Sequence, residues 1–415
     1  MKKKVLIIGN TAKEYALAKK MSEYCEIFVI PGNDAMKEFA TCIDIRENSV
    51  QEVLEFVMEN GIDLTIPVSM KALDTDIVKI FTNNNLEIFA PDKNAIKLMA
   101  DKAYAKKLMY KLRIPTPKFG IFEKQSMAND YIKNYNQPFV IKTNAPSSAV
   151  IITASKSAKP IIDSVFAEKF NKIIIEDYVY GTPFAFYAIT DGYKALPIGS
   201  SILYKHSLEG EGGQLTSGMG ACSPNFKISS DDEKFLTDEI IYPLLEYIES
   251  TGTAYLGILG INGIITEEGA FKILGFTPFM QDADCGSVLD LIEGNLYDLF
   301  EACVIGSFSD EINDIPLKNM HSASVVLNCK NSDNSENVIT IDDCLDDNVN
   351  VIYSNNVIKN KYLEYEAKNG AVLTVTAIGR TISSAVNRAY DEIENINFKG
   401  MTYRRDIGKS TISMF

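Results

Sequence analysis

The residue types that carry soft-metal or nucleophilic chemistry are scarce in this chain. Its only histidines are His206 and His321, so a zinc cluster or a Ser-His-Asp triad has almost nothing to draw on. The seven cysteines, Cys25, Cys42, Cys222, Cys285, Cys303, Cys329 and Cys344, are odd in number and form no CxxC; they read as reduced thiols packed as small apolar groups. Other features hold more chemistry. Residues 207–223, SLEGEGGQLTSGMGACS, carry five glycines and little hydrophobic pattern, which predicts a mobile, functional loop. Lys142 sits inside the otherwise apolar run PFVIKTN, and Asp282 and Asp284 place two acids in one later loop. Short apolar runs end at Gly9, at Pro31-Gly32-Asn33 and at Pro67. In a parallel sheet such junctions share the carboxyl edge, where open α/β folds bind small molecules.

The elements that must position these residues follow from periodicity. VLIIG, IFVIPGN, DLTIPVS and LEIFAP alternate with amphipathic stretches over the first hundred residues, the βαβ rhythm of a parallel sheet. A dinucleotide site is disfavoured, because the first turn reads G-N-T-A-K where G-x-G-x-x-G is required. One long helix is predicted over 93–113, closed by the prolines of IPTPKF. Four strand-like runs then predict a small antiparallel lobe over about 119–192 with a helix near 156–168. A helix over 231–251 and two strands restore α/β character, and a strand-helix pair over 370–395 forms a terminal module. The expected division is 1–100, 101–320 and 321–415.

Composition narrows the partners. The 415 residues are 46% hydrophobic and 23% charged, ordinary for a globular chain. Forty-one basic against 55 acidic residues leave a net charge of −14, a field that repels phosphate backbones and anionic lipid. No nucleic acid and no membrane partner is expected, and the apolar run Val5 to Ile8 is too short for a signal segment or a span. A cytoplasmic protein with a small-molecule ligand, as monomer or homodimer, is the expectation.

The strings VLIIGN, KEYALA, FVIPGN, DLTIPV, DKAYAKKLM, IPTPKF, VIK, IIIEDYVYG, TSGMGACSP, TAIGRTISSAVNRAY and MTYRRDIG lie in register along the chain. Together they resemble the phosphoribosylamine-glycine ligase family of the ATP-grasp superfamily. The resemblance implies an α/β architecture: an N-terminal Rossmann-like domain, split ATP-grasp lobes and a small C-terminal α+β domain. It implies ATP and Mg²⁺ as cofactors and a reaction of purine synthesis, in which glycine is activated as an acyl phosphate and attacked by phosphoribosylamine. By the same resemblance Lys102 and Lys142 face ATP phosphates, while Glu176 and the backbone near Val179 form the adenine hinge. Lys205, Thr216, Gly218, Met219 and Gly220 belong to the substrate loop, and Gly32 and Asn33 lie near the sugar phosphate. Glu14 persists from the amine-substrate signature.

Other positions depart from the family pattern. The phosphate-covering run KADGLAAGKG reads KTNAPSSAVI from Lys142 to Ile151, and the ribose carboxylate of G-E-E becomes Gly181-Thr182-Pro183. In GFTPFMQDAD, Gly275 and Thr277 replace the acid and the amide that hold the metal, Phe279 replaces an arginine, and only Asp282 and Asp284 keep acids. GGREHA has become TAKEYA, and GPEAPL has become VSMKAL. Losing one charge-stabilising donor commonly costs about 3 kcal/mol of transition-state binding, so the combined losses reach on the order of 10 kcal/mol even with strong non-additivity. Three readings stay open: an active ligase with its metal on Asp282, Asp284 or Glu176; a non-catalytic ATP-grasp paralogue serving as a binding or assembly module; and a ligase for another acid and amine. A cleft plugged by Phe279 would speak for silence, and open volume beside Lys142 for a bound nucleotide.

Overall fold

The computed structural model describes residues 2–133, 135–143, 149–153, 155–167, 172–330, 337–342 and 346–409. The first sheet is parallel, with β1 (Lys4–Gly9) between β2 (Glu26–Pro31) and β4 (Leu64–Pro67), and β3 (Thr41–Cys42) on the outer edge of β2. Val5, Leu6, Ile7 and Ile8 are fully buried, as expected when helices cover both faces of a parallel sheet. The predicted strand LEIFAP makes only a single bridge, Thr65 to Ile88.

The long helix expected over 93–113 is two helices, Lys93–Ala100 and Lys102–Lys111. Asp101 leaves helical geometry at φ −111°, ψ 96°, and its carboxylate accepts the backbone N–H groups of Ala103 and Tyr104. An aspartate that caps its own chain is a standing competitor to helix continuation. The small lobe is a four-stranded sheet ordered β5 (Phe119–Phe122), β8 (Ile173–Asp177), β6 (Phe139–Lys142), β7 (Val150–Ile152), with the helices Gln125–Ile132 and Ser155–Ala167 packed together. The helix expected over 231–251 is interrupted by a π-turn at Thr237–Ile241.

The glycine-rich run is a β-hairpin, and this corrects the loop expectation. Strand β10 (Ala195–Leu208) pairs antiparallel with β11 (Gly212–Ser223) inside a nine-stranded sheet. Its glycines serve close approach. A Cβ on Gly218 would fall 2.5 Å from Cβ of Ala283, and one on Gly220 would fall 2.4 Å from the carbonyl oxygen of Ser324. Gly218 also holds φ +144°, so Gly218→Ala combines strain with a clash and is expected to cost about 1–3 kcal/mol. Urea unfolding would read that loss; an unchanged midpoint would remove the packing account.

The large sheet runs β13 (Phe271–Thr277), β12 (Gly257–Ile265), β9 (Thr182–Thr190), β10, β11 and β14 (His321–Cys329), followed by the strands Gly370–Gly379 and Val349–Tyr353. The expected terminal module thus continues the same sheet through the β11–β14 pairing. The helix Ile382–Glu394 covers β14 and Gly370–Gly379. Among the described residues no helix is long and apolar enough to cross a membrane.

Candidate functional site

A cavity of about 400 Å³ opens between the small lobe and the large sheet. Lys142, Glu176, Tyr178, Val179 and Tyr180 line one side, and Lys205, Glu211, Thr216, Asn262 and Ile264 line the other. Strands β6 and β8 hold Lys142 and Glu176 side by side on adjacent strands, since Val140 pairs with Glu176 and Lys142 with Ile174.

Glu176, 1% exposed, forms an ion pair with Lys142 through Oε1, and the Lys106 ammonium lies 2.8 Å from Oε2. Burial pushes the Glu176 carboxyl up, but the two ammoniums override it and hold it below the usual range. Lys106 is itself 2% exposed and donates to the Thr116 hydroxyl at 2.7 Å, which donates to the carbonyl of Ile273 at 2.8 Å. Burial lowers Lys106 to about 8 against the pull of Glu176. Lys102, one turn earlier on the same helix, donates to the carbonyl of Thr143 at 2.7 Å. Burial and then Lys142 lower it to about 8. Glu176 thus has three ammoniums near it, of which Lys142 alone lines the cavity, while Lys102 and Lys106 lie behind that wall and add to the positive field at this end. The departed phosphate loop, residues 144–148, lies outside the described residues.

A second cavity, of about 420 Å³, is lined by Lys13, Met70, Ser217, Phe279, Gln281 and Asp282, and it shares Lys205 and Thr216 with the first. Phe279 packs into the core at 4% exposure and lines this second cavity, leaving the first open. Lys205 donates to the Ser217 carbonyl at 3.0 Å and to the Gln281 side chain. Burial lowers its ammonium to about 8, against the attraction of Asp284. The Thr216 hydroxyl donates to the carbonyl of Lys205 at 2.9 Å and accepts from the Gly218 N–H at 3.1 Å. One cation therefore stands on the wall common to both spaces, where a group passing between them would meet it.

Magnesium needs hard oxygen ligands with carboxylates among them, and the residues present do not fit it. The Cβ position of Gly275 faces open space, and the Thr277 hydroxyl is buried without a hydrogen-bond partner. Oδ1 of Asn262 accepts from Gln281 at 2.7 Å. Asp282 Oδ1 accepts the Thr11 hydroxyl at 2.6 Å and the Lys13 backbone N–H at 3.0 Å. Asp284, fully buried, accepts the Tyr187 hydroxyl at 2.8 Å and the Gln281 N–H at 3.0 Å; burial raises it to about 6. Glu176 is committed to two lysines. Among the described residues no group of three or more His, Cys, Asp or Glu side chains converges as a metal site.

Lys102 and the remaining predicted residues lie outside both cavity linings. Glu14 is 1% exposed and accepts the Thr11 N–H at 2.8 Å and the Thr11 hydroxyl at 2.5 Å, packed beneath Gly9. Asn33 is spent locally: Oδ1 accepts from Ala35 and Met36 N–H, and Nδ2 donates to the carbonyls of Asn10 and Tyr353. Gly32, at φ +70°, turns the chain against Cys42. Gly218 and Gly220 shape the hairpin, as described above. Sequence reasoning missed Lys106, Glu211 and Gln281. Lys106 carried a readable signal, because it falls among the buried positions Ala103, Ala105, Leu108 and Met109 of one helix and a cation there needs a partner.

Comparison with known proteins agrees with this geometry. Sequence profiles of phosphoribosylglycinamide synthetase match its N domain at residues 3–98, its ATP-grasp (A) domain at 100–285 and its C domain at 330–410. The chain is 31% identical over 422 residues to a phosphoribosylamine-glycine ligase of Clostridium acetobutylicum, covering 98% of this chain and 100% of that one. A Caldanaerobacter subterraneus ligase of the same name is 28% identical over 415 residues, covering 97% and 99%. Among solved structures, the phosphoribosylamine-glycine ligase of Thermotoga maritima superposes with TM-score 0.82 at 21% identity, over 97% of this chain and 100% of that one. A biotin carboxylase domain from Hydrogenobacter thermophilus, solved with MgADP and bicarbonate, shares the fold at TM-score 0.72 and 15% identity, over 97% and 92%.

Proposed function

The chain belongs to the phosphoribosylglycinamide synthetase family, the phosphoribosylamine-glycine ligases of purine biosynthesis, and on that premise we propose that it binds ATP between its lobes while ligating glycine to phosphoribosylamine far more slowly than a magnesium-loaded site allows. The open cavity beside the Lys102, Lys106 and Lys142 ammoniums carries this reading. The base sits against Val179 and the apolar wall of Ile264, and the phosphates run toward Lys142 and Lys102. Lys205 and Thr216 stand at the junction with the second cavity, which takes the substrates. Glu14 acts through Thr11 and Asp282 to fix the edge of that cavity, and Gly32 with Asn33 holds the neighbouring turn. The division at 1–100, 101–320 and 321–415 is kept as a description of this work: a substrate edge, a nucleotide cleft and a cover. ATP-grasp relatives use Mg²⁺ as well as ATP, and here the protein's own donors leave the ion without acidic ligands.

The test is calorimetric titration with ATP in EDTA and in Mg²⁺, paired with an assay of glycine-dependent ADP release. ATP binding with trace turnover is the expected result. No ATP binding in either buffer would overturn the nucleotide reading, and magnesium-dependent ligation at ordinary enzymatic rates would overturn the slow step. The pH dependence is also set. Lys102 and Lys205 lose their protons near pH 8, so rising pH removes the cations that face phosphate. ATP affinity at pH 9 is expected to be about tenfold or more below that at pH 7, the worth of a hydrogen bond to a charged group. A flat profile from titrations at the two values would contradict that assignment.

A further inference from the structure

Three carboxylates line the nucleotide cavity, and their neighbours separate their roles. Glu176 is held by two lysines, and Asp177 accepts the Tyr135 hydroxyl. Glu211 differs. Its Oε1 accepts from Arg404 Nη2 at 2.8 Å, and among the described residues no donor reaches Oε2. The residue sits at the tip of the β10–β11 hairpin with φ +57°, and it lies close enough to Tyr178, across the cavity, for its charge to raise that phenol after burial has done so.

Arg404 is built to hold this arrangement. It is 2% exposed, donates to Asp406 through Nε and Nη2 at 2.7 Å each, and donates to the His206 carbonyl through Nη1 at 3.2 Å. Asp406 in turn accepts the Gly210 N–H at 2.9 Å. A buried guanidinium with a fixed fork orients what it binds. One oxygen of this cavity-lining residue is therefore anchored while the other keeps its acceptor capacity, on a left-handed turn that is uncommon for a non-glycine residue.

We propose that Glu211, positioned by Arg404, accepts hydroxyl groups of the ribose of a nucleotide seated in this cavity, making it the sugar-specificity residue of the site. The inference rests on the nucleotide reading above. A carboxylate is an acceptor only, and a pair of neighbouring hydroxyls supplies the donors it lacks. Lys142 and Glu211 line the same cavity, so a nucleotide with its phosphates at Lys142 has a carboxylate within the same space to meet its ribose.

The experiment compares Kd for ATP and 2′,3′-dideoxyATP, in EDTA, for the wild-type chain and for Glu211→Gly. Glycine suits the positive φ and removes the side chain at a half-exposed position, so folding is not at issue. The wild type is expected to bind ATP at least about tenfold more tightly than the dideoxy analogue, the ratio a charge-assisted hydrogen bond gives. In Glu211→Gly that ratio should fall to about one, chiefly through weaker ATP binding. A wild type that binds both equally, or a variant that keeps the preference, would overturn the assignment while leaving the nucleotide reading intact. Binding of neither ligand by the wild type would overturn both.

Discussion

Glu176→Gln is expected to lower stability by about 3–5 kcal/mol, the range seen when one partner of a buried ion pair is removed. The carboxylate serves Lys142 and Lys106 at once, and Lys106 is 2% exposed. Without the Glu176 charge its ammonium is left with neutral neighbours, the Thr116 hydroxyl and the Phe119 ring among them. The effect has a pH signature. Burial holds the Lys106 ammonium down to about 8 in the folded chain, below the ordinary 10.5. The folded state therefore sheds this proton before the unfolded state does, and this group's contribution to stability rises with pH between about 8 and about 10.5. Glutamine removes the attraction that supports the charge, so that rise begins at lower pH and the penalty of the substitution shrinks at pH 9 relative to pH 7. Adding Lys106→Met should restore part of the loss, because a buried pair replaced by apolar atoms is often tolerated. Urea denaturation of the single and double variants reads all three. A single-variant loss under about 1 kcal/mol would mean that the pair is screened by water and contributes little.

The second large effect is a gain. Gly275→Glu with Thr277→Asn puts an acid and an amide at the end of β13, leading into the loop, at the positions where the family resemblance implies metal ligands, and the space for the first is present, since nothing lies within 4 Å of the Gly275 Cβ position. The native chain is expected to show the same melting temperature in ATP with EDTA as in ATP with Mg²⁺. The double variant should melt higher with Mg²⁺, because a ligand bound only by the native state stabilises it. Glycine-dependent ADP release should rise by about a hundredfold, the scale of one restored charge-stabilising contact. A native chain already responsive to Mg²⁺, or a variant that stays indifferent to it, would show that the loop does not decide metal use.

Much of this was legible in the residues. The parallel N-terminal sheet followed from apolar runs ending at Gly9, Pro31 and Pro67, and the family followed from strings in register over the whole length. Lys142 was conspicuous because a cation interrupted an apolar strand, and Val179 and Lys205 were found by motif and do line the cavity. The misreadings have physical causes. Glycines 210 to 220 read as a mobile loop because composition reports backbone freedom; the hairpin uses Gly218 and Gly220 for close approach to Ala283 and Ser324. Asp101 broke a helix by capping the next one, a choice that local hydrogen bonding makes and periodicity does not display. Glu211 was invisible because its partner is 193 residues away. The two lysines paired to Glu176 were likewise not legible, since Lys106 reaches it from another element.

The β11–β14 pairing, which joins the glycine hairpin to the terminal strands, has an evolutionary consequence. Gly220, Ala221, Cys222 and Ser223 bond to Val325, Ser324, Ala323 and Ser322, so the last hundred residues cannot drift or be lost as a detachable ornament. A gene shortened before them would leave β11 with an open rim, the kind of edge that recruits foreign chains. Whatever the ligation chemistry has become, selection on the β10–β11 hairpin therefore also acts on the strand Ser322–Val325 that closes its outer edge.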